Sequence, residues 1–323
     1  MDIILYNPLS SKGKNIKIAK KLEKKAMNKG FEVNIVNLLE IDNVERFLNG
    51  YNAQDRMILI GGDGTLNRVV NQISGIEIKP HVYMYKAGTG NDFMRSVKAK
   101  NKLVDIKPYL KNLPTLKVNG KTELFLNGTG VGLDGLVCYN VNRSKEAKSK
   151  SNYFKNAFKS FMSYEPGSAM IEIDGKTFEE NKVWFVTAMN APYFGGGMKL
   201  APKMKRGLDH LELVVIKKIP RWLIIIIFPT IYFGWHRIFK RYVSFYQGNH
   251  IKVEMLTDSY LQRDGEHEFP VRTFEAVKQQ KKWFEITFFF LNPSERGLWK
   301  SFFVRTKMLF LHLNLRYHLI LKN

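Results

Sequence analysis

Four short stretches of this 323-residue chain carry the residues that could do chemistry. In "MILIGGDGTLNRVV", Met57 to Val70, an apolar run hands over to Gly61, Gly62, Asp63, Gly64 and Thr65. Glycines at a strand-to-helix junction can take positive φ and admit another molecule close to the main chain. A helix N-terminus there offers free N–H groups to a phosphate. A tight turn without any ligand explains a Gly-Gly pair equally well. Asp63 shifts the balance, because a bare carboxylate beside anion-binding amides calls for a cation or a hydroxyl. The other stretches are "NPLSSKGKN" from Asn7, "GTGNDF" from Gly88 and "RDGEHEF" from Arg263. The last, by itself, reads as a hairpin turn at Asp264-Gly265. "GTGNDF" reads as a loop in which Asn91 or Asp92 caps the next helix, a role compatible with substrate contact. Two nucleotide signatures fail: position 8, where a P-loop ending at Gly13-Lys14 needs glycine, is Pro8. Position 133, where a dinucleotide fingerprint at Gly128-Thr-Gly130 needs glycine, is Leu133.

The elements that must position these residues alternate at first between strand and helix. Ile3-Leu5, Val33-Val36, Met57-Ile60 and Val82-Tyr85 are short apolar runs that fill buried parallel strands. Ile18, Leu22 and Ala26 mark one helix face, ended by Gly30. Leu66, Val69, Val70 and Ile73 mark another. Such alternation predicts an open parallel sheet, whose ligands sit at the carboxyl ends of the strands. From about Lys121 the segments "TELFLNGTGVG", "AMIEIDGKTFEENKVWFVTAMN", "HLELVVIKK", "HIKVEML" and "WFEITFFF" are β-rich and predict a sandwich. A basic helical insertion is expected near Ser149–Ser163. The fold class is thus α/β followed by β-sandwich: residues 1–120, then 121–292 with helical and apolar insertions, then a basic amphipathic tail at 293–323.

Composition bounds the partners. The single cysteine, Cys138, excludes an intramolecular disulfide framework and a multi-cysteine metal site. Lys and Arg total 51 against 29 Asp and Glu, a formal charge of +22 that attracts polyanions. A lysine-rich bias spread over a solvated surface gives the same total. Paired-aromatic RNA signatures are not evident, so an anionic membrane surface is preferred to nucleic acid. "RWLIIIIFPTIYFGWH" is the most apolar segment, too short to span a bilayer and broken by Pro229. It is either a buried core element or a surface that dips into lipid headgroups. The expectation is a cytoplasmic protein associated peripherally with the inner face of the membrane. The tail, with Trp299, Phe302, Phe303, Arg305 and Lys307, is read as either a membrane contact or a docked helix. A homodimer is left open.

Six motifs in order resemble the diacylglycerol kinase catalytic-domain family, the bacterial lipid kinases related to sphingosine kinases. They are Asn7-Pro8 with Ser10, the run from Gly61 to Asn67, Gly88 to Phe93, Phe125 to Asp134, Asn190 with Gly195–Gly197 and Ala201-Pro202, and Asp264-Gly-Glu266. The resemblance implies an NAD-kinase-like nucleotide domain, ATP and Mg²⁺ in a cleft, and transfer of the γ-phosphoryl group to a lipid alcohol. It implies Asn7, Ser10, Gly61, Gly62, Asp63, Gly64, Thr65, Asn67 and Thr89 around the nucleotide. Asp63 would hold Mg²⁺ or orient the acceptor hydroxyl, and Asp264 with Glu266 would serve as general base. Asn91, Asp92, Asn127 and Asp134 would meet the substrate, although Asn127 and Asp134 are structural hydrogen-bonders as readily. One departure stands out. Where many bacterial members carry an Asp-rich loop holding a structural Mg²⁺, this chain reads Lys203-Met-Lys-Arg-Gly-Leu-Asp209.

Two other functions share these residues: a degenerate fold that binds nucleotide or anionic lipid without turnover, and an NAD-kinase-like enzyme. Convergence of Asp63 and Asp264 on one cleft favours catalysis. An Asp264 pointing to solvent at a hairpin tip favours the binder.

Overall fold

A computed structural model of the chain describes residues 1–88, 90–144 and 150–279. Thr89, the strand expected at "WFEITFFF" and the tail expected at 293–323 lie outside the described residues. The first lobe runs β1 (Asp2–Tyr6), α1 (Asn15–Met27), β2 (Val33–Asn37), α2 (Val44–Asn49), β3 (Arg56–Gly61), α3 (Asp63–Gln72), β4 (His81–Lys86), α4 (Asp92–Ser96), β5 (Leu103–Asp105) and α5 (Lys107–Leu110). Its sheet has the order β2-β1-β3-β4-β5, with the first four strands parallel and β5 antiparallel to β4. The βαβ connections cover both faces of this sheet, so β3 is apolar on both sides: Met57 to Ile60 are all buried. The carboxyl ends of β1, β3 and β4 carry the three N-terminal motifs to one edge.

The second lobe begins earlier than residue 121. β6 (Thr115–Val118) pairs with the C-terminal part of the chain, not with the first sheet. It is followed by β7 (Lys121–Leu124), β8 (Gly128–Gly132), α6 (Leu133–Arg143), α7 (Lys150–Ser163), β9 (Gly167–Ile173), β10 (Lys176–Met189), β11 (Leu211–Lys217), α8 (Arg221–Phe233), β12 (Val243–Gly248), β13 (His250–Arg263) and β14 (Glu266–Val277). β10 and β13, each 14 residues long, hold the sandwich together. Their outer halves both pair with β9 and their inner halves both pair with β8, so the sheet folds back on itself. Val131, Ile171, Val186, Leu213, Val253 and Phe274 fill the space between the layers. A second apolar cluster joins α6, α7 and α8 to the outer face of β10 and β11, with Phe161 stacked on Trp184 at 5.0 Å.

One local expectation is corrected, the positive φ of the glycine loop. α3 starts at Asp63, so Asp63, Gly64 and Thr65 form its first turn. Gly61, Gly62 and Gly64 all have φ in the ordinary negative region. Their purpose is room. A Cβ on Gly61 would lie 2.6 Å from the Thr65 side chain, and one on Gly88 would lie 2.5 Å from the Gly62 Cα. The loops after β3 and β4 therefore touch backbone to backbone. Gly64 alone of the three faces open space. Gly88→Ala is expected to cost about 1–3 kcal/mol of stability, whereas Gly64→Ala should stay within about 0.5 kcal/mol of the parent. Urea-unfolding midpoints measure both, and equal midpoints for the two variants would contradict the packing argument.

Candidate active site

The site is assembled from loops that reach across the junction of the lobes. From the first lobe, both oxygens of Asp63 accept backbone N–H bonds at the start of α4, from Asp92 at 2.8 Å and Phe93 at 2.9 Å. The carboxylate that looked bare in sequence thus fastens the β3 loop to the β4 loop. Asn91 takes the left-handed conformation (φ 52°), and its side-chain amide donates to the Gly88 carbonyl. That bend turns Asp92 inward. The Asp92 carboxylate accepts from Arg95 at 2.8 Å and from the Gly196 amide of the second lobe at 2.7 Å. Gly195, Gly196 and Gly197 all have positive φ, which lets three successive residues curl over the loop at Gly90.

From the second lobe, Asp264 sits in the β13–β14 hairpin turn, where it and Gly265 have φ of 49° and 96°. The hairpin reading of "RDGEHEF" holds, but the aspartate does not point to solvent. Oδ1 accepts the Asn127 amide at 2.7 Å and the Gly128 amide at 3.3 Å. Oδ2 accepts the Leu126 amide at 2.5 Å and the Asn67 side chain at 2.8 Å. Asn67 comes from α3, so this last bond joins the lobes. Asn67, expected around the nucleotide, is turned to Asp264 instead. Glu266 is exposed at the start of β14 and is not among the residues lining the adjoining cavity.

Asp63, Asp92, Asp134 and Asp264 all line one cavity of about 1090 Å³. Its remaining wall is mostly apolar, built from α6, α7, α8 and the strands beneath them, and includes Val137, Phe161, Trp184, Phe194, Ile227 and Phe228. Asn7, Ser10, Gly61, Gly62, Gly64 and Thr65 are not part of that wall. Asp63 and Gly90 stand at the seam between the glycine loops and the cavity. Burial raises the Asp264 carboxyl above its ordinary range, opposed by its three backbone amides, and Asp63 adds to the rise. Asp92 is pushed up to about 6 by burial first, then by Asp63. Asp134, at the start of α6, is also pushed up to about 6 by burial, while the Thr187 hydroxyl (2.7 Å) and the Gly135 amide (2.9 Å) oppose it.

Several contributors were not singled out in the sequence. Asn15, fully buried, donates to the Asn7 carbonyl (3.2 Å) and to Ser10 Oγ (2.5 Å), shaping the first loop. Arg206 donates to Ser96 Oγ at 2.9 Å in the first lobe. In the second it donates to the Leu126 carbonyl and to Asn127 Oδ1, both at 2.6 Å. Its guanidinium lies 4.4 Å from the centre of the Phe93 ring. Burial lowers the Arg206 pKa to about 10, against the pull of Asp264 and Asp63. The only sequence signal was that 203–209 is basic where an acidic loop was expected. Asn127 thus holds Asp264 with its main-chain amide and Arg206 with its side-chain oxygen. Among the described residues no three histidine, cysteine or carboxylate side chains form a metal cage.

Comparison with known proteins agrees with this layout. The family model for the diacylglycerol kinase catalytic domain matches residues 3–118, and that for the YegS C-terminal NAD kinase beta sandwich-like domain matches 128–279. The diacylglycerol kinase of Bacillus subtilis (strain 168) is 29% identical over 223 residues, covering 66% of this chain and 71% of that protein. The diacylglycerol kinase of Staphylococcus aureus (strain bovine RF122 / ET3-1) is 28% identical, covering 66% and 68%. A crystal structure of a diacylglycerol kinase from Bacillus anthracis superposes with a TM-score of 0.55 over 86% of this chain and 93% of that one. At 18% identity it establishes the fold.

The raised carboxyl at Asp134 makes stability depend on pH. Between about pH 4 and 6 the folded chain keeps a proton there that the unfolded chain has released. That contribution is complete below about pH 4 and lost as pH rises through about 6. Relative to Asp134→Asn, the parent should therefore lose about 2 kcal/mol between about pH 4 and pH 7, after allowing for solvent in the cavity. Urea unfolding of both proteins at the two pH values reads this directly. A pH-independent difference would show that Asp134 titrates as an ordinary aspartate.

Proposed function

We propose that this chain, which belongs to the diacylglycerol kinase catalytic-domain family, moves the γ-phosphoryl group of ATP to the hydroxyl of a lipid alcohol. The observation that carries the reading is the placement of Asp63, Asp92 and Asp264 at the polar end of a large apolar cavity. Such a volume lies at the upper end of what small-molecule pockets enclose. Its aliphatic and aromatic wall matches hydrocarbon chains, with the hydroxyl of the same molecule left among the acids. An NAD-kinase-like acceptor, polar along its whole length, has no complement in that wall. Convergence of Asp63 and Asp264 on one cavity favours turnover over passive binding.

The nucleotide lies, on this reading, on the other side of the seam, against Asn7, Ser10 and the first turn of α3. Gly64 leaves open room there, and the N–H groups of a first helical turn lack intrahelical partners. Among the described residues the buried Oδ1 atoms of Asn15 and Asn91, which flank these loops, have no hydrogen-bond partner, leaving acceptors for a ribose hydroxyl or the adenine amino group. A magnesium ion carried by nucleotide phosphates needs only one or two protein carboxylates, and Asp63 fits that donor set. When bound, the ion supplies charge neutralisation at the phosphates. Asp264 takes the proton of the acceptor hydroxyl on Oδ1, where the bond from Gly128 is long at 3.3 Å. The acceptor oxygen then forms its bond to the γ-phosphorus as the bond to the departing ADP breaks. Asp92 and Arg95 position the Gly196 loop over the acceptor.

The test uses purified chain, labelled ATP with Mg²⁺, and a panel of vesicle-borne alcohols that includes diacylglycerol. Some lipid should acquire phosphate, and Asp264→Asn should slow transfer by about 10²–10⁴-fold. ATP should raise the melting temperature of the parent and of Asp264→Asn alike. Full activity in Asp264→Asn, or a melting temperature indifferent to ATP, would overturn the assignment.

A further inference from the structure

α8 has two apolar faces, and only one is used inside the molecule. Ile224, Ile227 and Ile231 are buried against α7 and the outer face of the sandwich. Trp222, Ile225, Ile226 and Phe233, with Trp235 and Ile238 just beyond the helix, are each more than half exposed. Monomeric soluble surfaces rarely gather so many large apolar side chains in one place without a partner. The helix is 13 residues long, roughly 20 Å, well under the thickness of a bilayer's hydrocarbon core. Among the described residues no helix is long and apolar enough to cross a membrane.

Charge identifies the occupant. From Lys217 to Arg241 the sequence holds six Lys or Arg and no Asp or Glu. Lys218, Lys240 and Arg241, which flank the apolar segment in the chain, are exposed, as is Lys159 on α7. Arg221 is otherwise engaged, closing the end of α7 through the carbonyls of Met162 (2.8 Å) and Tyr164 (3.0 Å) and pairing with Glu165. An apolar stripe with tryptophans and a rim of cations matches the headgroup layer of an anionic bilayer. A polar protein partner would find on it little beyond the indole N–H groups of Trp222 and Trp235 and the Tyr232 hydroxyl.

The same surface is continuous with the cavity. Phe158, Ile225 and Tyr232 each line the cavity and are each exposed. The cavity's mouth therefore lies in the apolar face itself. We propose that α8 and the turn at Trp235–Ile238 lie in the interface of an anionic membrane, and that the lipid alcohol enters past Ile225 and Tyr232 without crossing water. The entry route rests on the lipid-kinase reading; the membrane contact does not.

The experiment combines Trp222→Glu with Ile226→Glu, two exposed positions outside the cavity wall. Co-sedimentation is measured with vesicles of equimolar phosphatidylglycerol and phosphatidylcholine, beside a short-chain alcohol presented as dissolved monomers. We expect the double variant to melt with the parent, to bind vesicles at least about tenfold more weakly, and to phosphorylate the dissolved alcohol at the parent rate. Vesicle binding equal to the parent's would overturn the proposal. So would a parent dimer in sedimentation velocity that the variant dissociates, since α8 would then be a subunit interface. If neither protein phosphorylates anything, the kinase reading fails while the vesicle arm still decides the membrane contact.

Discussion

Asp264 is the carboxylate on which the two lobes agree. Three consecutive amides at the entrance to β8 and the side chain of Asn67 from α3 converge on its two oxygens. A buried charge unsupported in this way would be expensive, and truncating one partner leaves the others unsatisfied. The hairpin turn, the start of β8 and the helix after the glycine loop are consequently fixed relative to one another. Burial raises the acid toward protonation while the amides favour its anion, a balance that suits the general-base role proposed for it.

Around this point the lobes are joined by polar groups as well as by Leu124 and Leu126, which pack into the first lobe's apolar cluster. Asp63 ties two loops of the first lobe together, Asp92 receives the Gly196 amide from the second, and Arg206 spans both. Arg206 is also a fixed positive charge set among acids. It places an internal cation in the stretch 203–209, where the resemblance led us to expect an acidic loop. The cost of burying a guanidinium is offset by three hydrogen bonds, a ring face and the carboxylates nearby.

The division of the site into a polar seam and an apolar chamber follows from how the second lobe is built. The interior of the sandwich is closed, so its outer face at β10 and β11 needs cover. α6, α7 and α8 supply it, but thirteen apolar-rich residues in α8 cannot all face inward around a helix. The buried stripe of Ile224, Ile227 and Ile231 both packs and lines the chamber, and another stripe is left outside. A helix apolar all round is normally interred or membrane-bound, and this one borders both protein and solvent.

Much of the fold was legible in the chain. Short apolar runs ending in glycine loops announced the parallel sheet, and alternation with Asp-Gly turns announced the sandwich, because both depend on local periodicity and turn chemistry. The motif order placed Asp63, Asp92, Asp134 and Asp264 in the candidate set by residue type alone. What only the tertiary structure decided was which atoms they face. Gly61 and Gly62 read as nucleotide-binding glycines in sequence; the structure shows in addition that Gly62 makes room for Gly88 and Gly61 for Thr65. Asn67 is bonded to Asp264, Glu266 is exposed, and Arg206 came from a basic run that the sequence marked only as a departure from an acidic loop. The strand at Thr115–Val118 joins the second sheet because its partner, β14, lies about 160 residues away, a separation no local pattern encodes. Periodicity reports which side of an element is buried; contacts between distant loops are settled only when the lobes close on one another.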